Sequence, residues 1–213
     1  MHKTVLITGA TAGFGRAIAV KFAENGYRCI ITGRRKELLT ELEHELRQTF
    51  NTDVLALQFD IQKLEEVEKA VESLTDDWKH IDVLVNNAGL AAGLNPIHEG
   101  VIDDWERMID TNIKGLLYMT RLVAPMMVAR GKGHIINIGS IAGKETYPNG
   151  NVYCGSKFAV DAITKGTRID LLSHGIKVTQ IAPGAAETEF SLVRFNGDVE
   201  RATHVYDGFT PLS

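Results

Sequence analysis

Apolar runs of strand length alternate with amphipathic segments of helix length along the whole chain. The apolar runs predict six strands, near residues 3–8, 27–32, 53–59, 81–86, 133–139 and 176–182. The amphipathic segments predict helices near residues 14–25, 36–49, 63–76, 103–130 and 152–173. Strict alternation of strand and helix is typical of a parallel, doubly wound α/β sheet. No linker or repeat divides the pattern, so we expect a single domain over residues 1–213.

A glycine-rich turn joins the first predicted strand to the first predicted helix. With the spacing G-x-x-x-G-x-G, it comprises Gly9, Ala10, Thr11, Ala12, Gly13, Phe14 and Gly15. Glycines at such a turn let the backbone approach a pyrophosphate, which rests on the amides at the positive end of the following helix. A glycine-rich turn alone is a weak signal. Its place between a strand and an amphipathic helix predicts a dinucleotide site.

The end of the second predicted strand indicates which dinucleotide fits. An acidic residue at this place holds the ribose 2′-hydroxyl of NAD in dinucleotide-binding folds. Gly33 stands there instead, followed by Arg34 and Arg35. Two guanidinium groups suit the 2′-phosphate of NADP, so we expect NADP as the cofactor. The alternative is that both arginines only cap the strand or solvate the Glu-rich helix that follows.

Polar residues also follow the third and fourth predicted strands. Asp60 and Ile61 end one strand, and Asn87, Ala88 and Gly89 follow the other. Because the carboxyl ends of parallel strands meet at one edge, we place these residues beside the glycine turn as cofactor contacts. The alternative is that their side chains only stabilise the turns by bonding their own backbone.

Asn112 is an amide within the apolar stripe of the long predicted helix at 103–130. The residues around it on that stripe are apolar, namely Trp105, Met108, Ile109, Ile113 and Leu116. A polar group on a buried face needs a hydrogen-bond partner, so this position calls for a specific explanation.

A serine and a Tyr-x-x-x-Lys pair are the strongest candidates for chemistry. Ser140 follows the fifth predicted strand, at the edge where open α/β sheets bind ligands. Tyr153 and Lys157 lie four residues apart at the start of the last predicted helix, so their side chains share one face. Alone, such a pair is typical of a helix surface. With Ser140 thirteen residues upstream, it predicts a catalytic group.

Lysine would make the tyrosine useful as an acid or base. A positive charge about 4 Å from the phenol, at an effective dielectric of about 20, contributes about 4 kcal/mol. This lowers the phenol pKa by roughly three units from about 10, so we expect Tyr153 to titrate near the working pH. The Ser140 hydroxyl would polarise a substrate carbonyl.

Composition narrows the classes of function. The 213 residues carry a net charge of −4 and show no basic stripe, so we expect no nucleic-acid partner. The apolar runs are far shorter than the roughly 20 residues of a spanning helix, so we expect no membrane role. The two cysteines, on separate elements, indicate a reducing compartment, and we expect a cytoplasmic protein. The seven histidines show no ligand spacing, so we expect no metal.

Taken together, these motifs resemble the short-chain dehydrogenases/reductases over nearly the whole chain. The matching residues are Thr8 to Gly15, Asn86-Asn87-Ala88-Gly89, Asn112, Ser140, Tyr153-x-x-x-Lys157 and Pro183-Gly184. The resemblance implies a Rossmann-type fold, a homotetramer and a catalytic tetrad. In that tetrad Asn112 helps to hold a proton-relay water, Ser140 orients the substrate and Tyr153 is the acid/base. Lys157 acidifies Tyr153 and binds the nicotinamide ribose, so Tyr153 and Lys157 also belong to the cofactor site.

Within the family, the chain is similar to the NADP-dependent 3-hydroxy acid dehydrogenases. The similar segments are Gly-Ala-Thr-Ala-Gly-Phe-Gly, Thr-Gly-Arg-Arg, Asn-Asn-Ala-Gly-Leu-Ala and Thr-Glu-Phe-Ser-x-Val-Arg-Phe. This similarity implies hydride transfer between NADP and a short 3-hydroxy acid of the serine, allo-threonine, 3-hydroxyisobutyrate or malonic semialdehyde type. Two alternatives stay open: an NADPH-dependent reductase of larger ketones or acyl-carrier thioesters, and an NADP-binding protein that has lost catalysis.

Residues after the sixth predicted strand complete the expected site. Pro183 and Gly184 would bring backbone against the nicotinamide, and Thr188 resembles the family threonine that bonds the carboxamide. Ala186 stands where the family often has valine. Residues 186–213 form the expected lid and substrate region, with a short helix over 189–195.

A hydroxy acid needs a cation for its carboxylate. Arg194 is our candidate because its planar fork pairs with a carboxylate through two hydrogen bonds. Lys144, just after the Ser140 loop, is the rival, and a solvent-facing Arg194 on the lid is the other alternative.

The end of the chain departs from the family pattern. The segment Thr210-Pro211-Leu212-Ser213 is typical of a helix start, and the family continues with a helix and a seventh strand. We therefore expect a chain shortened relative to the family, and a dimer if tetramer contacts depend on the seventh strand.

Overall fold

Six parallel strands form one sheet in the computed structural model, which describes residues 3–186, 189–195 and 197–200. The strands are β1 (Thr4–Ile7), β2 (Arg28–Gly33), β3 (Val54–Gln58), β4 (Ile81–Asn86), β5 (Gly133–Ile138) and β6 (Ile176–Ile181). Their order is β3-β2-β1-β4-β5-β6, and every neighbouring pair is parallel. The predicted doubly wound, Rossmann-type α/β fold is confirmed.

Helices cover both faces of the sheet because the strands are apolar on both sides. They are α1 (Gly13–Glu24), α2 (Lys36–Phe50), α3 (Leu64–Glu72), α4 (Ile102–Ile109), α5 (Leu116–Arg130), α6 (Asn151–Leu171) and α7 (Phe190–Arg194). Helices α1 and α2 pack on one face through Ala19, Leu39 and Leu46. On the other face, α3 and α5 pack through Val67 and Met119.

The strand order reverses direction between β1 and β4. In doubly wound sheets, the loops that leave the two strands on either side of this point diverge and open a crevice at their carboxyl ends. The glycine turn after β1 and the segment after β4 therefore face each other across the place where ligands bind.

The prediction of one continuous helix over residues 103–130 is wrong, because the helix is interrupted. A π-helical turn, Asp110–Gly115, lies between α4 and α5 and inserts an extra residue into the helical repeat. Asn112 lies in this turn and is buried. Its side chain hydrogen-bonds to Leu90 and Ser156 outside the helix, which explains why the regular α-helical repeat is broken there.

Some expectations concern parts of the chain beyond these elements. Residues 201–213, which include the segment that is typical of a helix start, lie outside the described part of the chain. Among the described residues, no helix combines the length and apolarity that crossing a bilayer requires. The same residues hold no group of three histidine, cysteine or acidic side chains placed to bind a metal ion.

Candidate active site

A cavity of about 910 Å³ opens at the carboxyl ends of the strands. It is continuous from the glycine turn, past the two arginines after β2, to the serine, tyrosine and lysine of the candidate tetrad. The predicted site residues that line it are Gly9, Thr11, Ala12, Gly13, Phe14, Arg34, Arg35, Asp60, Ile61, Asn87, Ala88, Gly89, Ser140, Tyr153, Lys157, Pro183, Gly184 and Arg194. A single space is therefore large enough for a dinucleotide and a small second molecule.

The glycine turn has the tight geometry that its sequence predicts. Gly9 has a φ of 66° and Gly13 a φ of 48°, a region that disfavours larger residues. A Cβ on Gly15 would lie 2.1 Å from the carbonyl oxygen of Gly9, so this position accepts only glycine. Ala10 and Gly15 are buried and do not line the cavity, whereas the residues between them do. The turn places backbone amides of the α1 N-terminus against open space, which fits a pyrophosphate.

Asn87 stabilises the glycine turn from the end of β4. Its Nδ2 donates to the carbonyl oxygens of Thr8 and Gly9, at 2.9 and 3.1 Å. Its backbone amide and that of Ala88 donate to the hydroxyl of Thr8, at 3.0 and 2.9 Å. The side chain of Asn87 thus holds the glycine turn rather than its own backbone, and Asn87 also lines the cavity.

Arg34 and Arg35 lie at the cavity edge beyond β2. Arg35 donates to the carbonyl and hydroxyl oxygens of Thr11, each at 3.2 Å, so it is anchored to the glycine turn. Its Nη1 lies 3.1 Å from the carboxylate of Glu189. Arg34 is more than half exposed and lies 4.0 Å from Asp60. The two guanidinium groups present positive charge beside the turn, where a 2′-phosphate requires it.

Asn112 does not reach the cavity with its side chain. The amide Nδ2 donates to Leu90 O at 2.8 Å and to Ser156 Oγ at 2.9 Å, and Oδ1 accepts from Leu90 N at 2.8 Å. Both amide hydrogens are therefore engaged by protein groups. The expected contact of Asn112 with a relay water cannot come from these hydrogens, and Thr111, its neighbour in the π turn, lines the cavity instead.

Ser140 and Tyr153 meet in the cavity. Ser140 follows β5 and caps the 3-10 turn Ile141–Gly143, where its Oγ accepts from Ala142 N at 3.1 Å. The side chain of Ser140 lies close enough to the Tyr153 hydroxyl to lower the pKa of that phenol. Gly143 makes this approach possible, since a Cβ there would lie 2.5 Å from Lys157 O in α6. The loop of Ser140 is thereby held against the first turns of α6.

The ionisation of Tyr153 differs from the expectation. Burial raises the pKa of Tyr153 to about 12, although the hydrogen bond from Ser140 opposes this rise. The Lys157 ammonium lies 6.0 Å from the ring centroid and donates to Ile138 O at 3.0 Å. The predicted lowering of the phenol pKa is wrong for this arrangement, because burial outweighs the groups that would lower it. Tyr153 is a neutral phenol, suited to donating a proton.

Lys157 is buried, with 6% of its surface exposed. Burial lowers its pKa to about 8, because an ammonium group is poorly solvated inside the protein. No ion pair of Lys157 occurs within the described residues. A small shift in its surroundings therefore changes whether this group is charged at neutral pH.

We expect the unfolding free energy of the protein to depend on pH because of the lowered pKa of Lys157. Between pH 8 and 10.5 the folded state binds fewer protons at Lys157 than the unfolded state does, so stability rises with pH. From pH 8 to 9.5 the unfolding free energy of the wild type should rise by on the order of 1–2 kcal/mol relative to Lys157→Met. Denaturant unfolding at several pH values measures this, with the exposed Lys36→Met as control. Parallel curves for wild type and Lys157→Met would contradict the shift.

Arg194 points inward from α7 and is buried, with 6% exposed. Its Nε donates to Gly93 O at 2.9 Å, and its guanidinium carbon lies 5.9 Å from the centroid of the Tyr153 ring. Among the described residues, none supplies a carboxylate partner to Arg194. The alternative of a solvent-facing Arg194 is therefore wrong. The rival Lys144 is paired with Asp161 at 2.5 Å and does not line the cavity.

Tyr147 is a cavity residue that the sequence did not single out. Its hydroxyl accepts from Arg194 Nη1 at 3.2 Å, and its ring lies 5.7 Å from the Arg194 guanidinium carbon. It stands in a turn between Ser140 and Tyr153, where hydrophobic periodicity carries no information. The sequence feature that could have indicated this role is an aromatic residue next to turn-forming residues.

The segment after β6 closes one side of the cavity. Pro183 O accepts from Ile141 N at 3.0 Å, which ties this segment to the Ser140 loop. A Cβ on Gly184 would meet no protein atom within 4 Å, so the space beside it is open to a ligand. Helix α7 lies where a short helix was predicted, and the Phe190 ring is 5.7 Å from the Tyr153 ring. Thr188 lies outside the described residues.

Comparison with known proteins agrees with this geometry. NADP-dependent 3-hydroxy acid dehydrogenase YdfG of Salmonella typhi is 51% identical over 210 residues, covering 98% of this chain and 83% of the relative. Sulfoacetaldehyde reductase 2 of Chromohalobacter salexigens is 45% identical over 213 residues, covering 100% of this chain and 84% of that protein.

A solved structure and a family model give the same result. The closed form of a serine dehydrogenase complexed with NADP+ matches with a TM-score of 0.93 and 48% identity, covering 98% of this chain and 83% of that one. The family model described as short chain dehydrogenase matches residues 3–196. The chain belongs to the short-chain dehydrogenase family.

Proposed function

We propose that this protein is an NADP-dependent oxidoreductase that interconverts a short 3-hydroxy acid and the corresponding 3-oxo acid. The observation that carries this proposal is Arg194, a buried cation without a carboxylate partner in the described residues. It lies beside Tyr153, in the cavity that begins at the glycine turn. A relative that is 51% identical bears the name of a 3-hydroxy acid dehydrogenase, which supports the proposal.

The cofactor would occupy the glycine-turn half of the cavity. In this proposal the amides of Gly9 to Gly15 hold the pyrophosphate, and Arg34 and Arg35 bind the 2′-phosphate. The adenine half is bordered by Asp60, Ile61 and the backbone of Asn87 to Gly89. The nicotinamide half is bordered by Tyr153, Lys157, Pro183 and Gly184, with Thr188 proposed from the family resemblance.

The substrate oxygen would be held by the hydroxyls of Ser140 and Tyr153. NADP(H), when bound, supplies the hydride acceptor or donor. During reduction Tyr153 donates its proton to the developing alkoxide, and the neutral phenol in the structure is the form that this step requires. The positive charge of Lys157 favours the phenolate that remains. During oxidation the same phenolate removes the hydroxyl proton. The π turn with Asn112 would support the proton path from this buried site.

The carboxylate of the substrate would pair with Arg194. An arginine fork binds a carboxylate through two hydrogen bonds, and burial strengthens the pairing because water does not screen it. A bound anion would also relieve the cost of a buried, unpaired guanidinium. Because Arg194 would hold the carboxylate, the 3-carbon of the same substrate molecule would lie near the hydroxyls of Ser140 and Tyr153.

A substrate panel run with NADP and NAD in parallel tests the proposed function. We expect turnover of serine or 3-hydroxyisobutyrate with NADP, weak turnover with NAD, and little turnover of a bulky neutral ketone. Preference for the neutral ketone would favour the carbonyl or ketoacyl reductase. Tight NADP binding without turnover would favour a protein that has lost catalysis. Sulfoacetaldehyde belongs in the panel, because it is a short anionic aldehyde and a reductase so named is 45% identical.

Glu189 should weaken the binding of NADP. Its carboxylate lies 3.1 Å from Arg35 Nη1 and therefore competes with a 2′-phosphate for that guanidinium. Both partners are about half exposed, so the effect is modest. We expect Glu189→Gln to lower the Kd for NADP about three- to fivefold and to leave the Kd for NAD unchanged. Titration calorimetry measures both, with Glu145→Gln as control. An equal gain for NAD would show that the ion pair does not compete with the phosphate.

We also propose a cytoplasmic homo-oligomer, a tetramer or a dimer. Cys29 and Cys154 are free and buried, which suits a reducing compartment. An apolar stripe along α6 and the turn after it exposes Phe158, Ile169 and Leu172, the last two by 75% and 73%. A second copy of the chain would bury this stripe. Light scattering should show that Ile169→Asp reduces the molar mass and that Leu64→Asp does not, and the reverse would contradict this interface.

A further inference from the structure

The guanidinium of Arg194 is held from several sides by uncharged groups. Gly93 O accepts from its Nε at 2.9 Å, and Tyr147 Oη accepts from its Nη1 at 3.2 Å. The rings of Tyr147 and Phe195 lie 5.7 and 5.8 Å from the guanidinium carbon. Neutral acceptors and aromatic faces orient the fork without neutralising it. The full positive charge therefore remains available to an anion in the cavity.

The local backbone around Tyr147 fixes the position of its ring. Its carbonyl accepts from Gly150 N at 3.1 Å, which closes the turn over Asn149, a residue with a φ of 64°. A Cβ on Gly150 would lie 2.3 Å from Cε2 of the Tyr147 ring, so a larger residue there would displace the ring. The phenol is thereby set at one place beside Arg194 and at the cavity wall.

The ionisation state of Tyr147 suits an orienting role. Burial raises the pKa of Tyr147, although the neighbouring Arg194 opposes this rise. The phenol therefore stays neutral at neutral pH and does not compete as an anion for the guanidinium. Tyr147 also differs from Tyr153 in its neighbour, because the hydroxyl of Tyr147 bonds Arg194 whereas Ser140 acts on the phenol of Tyr153.

We propose that Tyr147 is a positioning residue that aims Arg194 at the carboxylate of the substrate and so contributes to the selection of anionic substrates. This inference rests on the proposed function, since Arg194 must bind the carboxylate for its orientation to matter. Tyr147 takes no part in proton or hydride transfer. Its loss should therefore weaken substrate binding and leave the chemical step intact.

The test is Tyr147→Phe, which keeps the ring and removes the hydroxyl. We expect the KM for 3-hydroxyisobutyrate to rise about tenfold, with kcat changed less than about twofold and the KM for a neutral ketone unchanged. Gly150→Ala, which displaces the ring, should raise the same KM. Tyr27→Phe, the same deletion at a site remote from the cavity, is the control. An equal rise for the neutral ketone would overturn the proposal.

A double-mutant cycle shows whether Tyr147 acts through Arg194. In an Arg194→Ala background, Tyr147→Phe should have no further effect on KM, and an undiminished tenfold effect would overturn the positioning role. Propionate binding to the NADPH complex, followed by NADPH fluorescence, separates this inference from the proposed function because it requires no turnover. Weaker binding in Tyr147→Phe supports the inference even if 3-hydroxy acids are not oxidised. Equal binding by wild type and Tyr147→Phe overturns it.

Discussion

Tyr153→Phe should abolish turnover while leaving NADPH binding unchanged. The substitution removes the hydroxyl that lies beside Ser140, and with it the proton that reduction requires. Loss of a general acid costs about 10²- to 10⁴-fold in kcat, and we expect the upper end because burial excludes water as a substitute. The ring remains, so its packing against Phe190 at 5.7 Å is preserved.

Stopped-flow measurement of NADPH oxidation, together with NADPH fluorescence for binding, separates the two effects. Tyr147→Phe is the matched control, because it deletes a second phenol hydroxyl in the same cavity and should lower kcat less than about twofold. If Tyr153→Phe kept more than about a tenth of the wild-type kcat, another group would be the proton donor.

Arg194→Ala should raise the KM for 3-hydroxy acids by about 10²-fold or more, since truncating one partner of a buried charge pair costs about 2–5 kcal/mol. The residue is 6% exposed and has no carboxylate partner in the described residues, so a bound carboxylate would supply the missing charge. Turnover of a neutral ketone should be unchanged or improved, because removing the cation deletes nothing that such a substrate uses.

Arg194→Lys distinguishes charge from geometry in this site. A lysine keeps the positive charge but loses the planar fork, so we expect a KM between those of wild type and Arg194→Ala. Thermal unfolding of each variant checks that the loop around Gly93, which bonds Arg194 Nε, remains folded. A KM for 3-hydroxyisobutyrate that is unchanged in Arg194→Ala would remove Arg194 as the anchor.

The fold and the cavity were predictable because each depends on local sequence. Alternating apolar and amphipathic segments specify the parallel sheet, and Gly9, Gly13 and Gly15 specify the turn through steric limits on their backbone. Ser140 and Tyr153 follow from their places at a strand end and a helix start. Their meeting therefore required only that the predicted elements adopt the usual topology.

The charge state of the site was not predictable from sequence. The distance between Lys157 Nζ and Tyr153 depends on a hydrogen bond to Ile138 O, which no spacing rule reveals. Burial then raises the pKa of the phenol to about 12 and lowers that of the lysine to about 8. Solvation of a side chain is a property of the assembled cavity, so it lies beyond residue patterns.

Contacts between residues distant in the chain also could not be predicted from the sequence. The π turn at Asp110–Gly115 follows from three hydrogen bonds of Asn112 to groups distant in the chain. Tyr147 meets Arg194 across 47 positions of sequence, through a loop that carries no periodicity. The catalytic and binding roles of these residues remain predictions that the variants above address.

Deuterium transfer tests the central claim most directly. NADPH that carries two deuterium atoms at C4 is incubated with malonic semialdehyde and the protein, and the 3-hydroxypropionate formed is examined by mass spectrometry. The account predicts a product that carries the deuterium at C3, formed by the wild type and not by Tyr153→Phe. Unlabelled product, or no product despite bound NADPH, would contradict direct hydride transfer to a 3-oxo acid in this cavity.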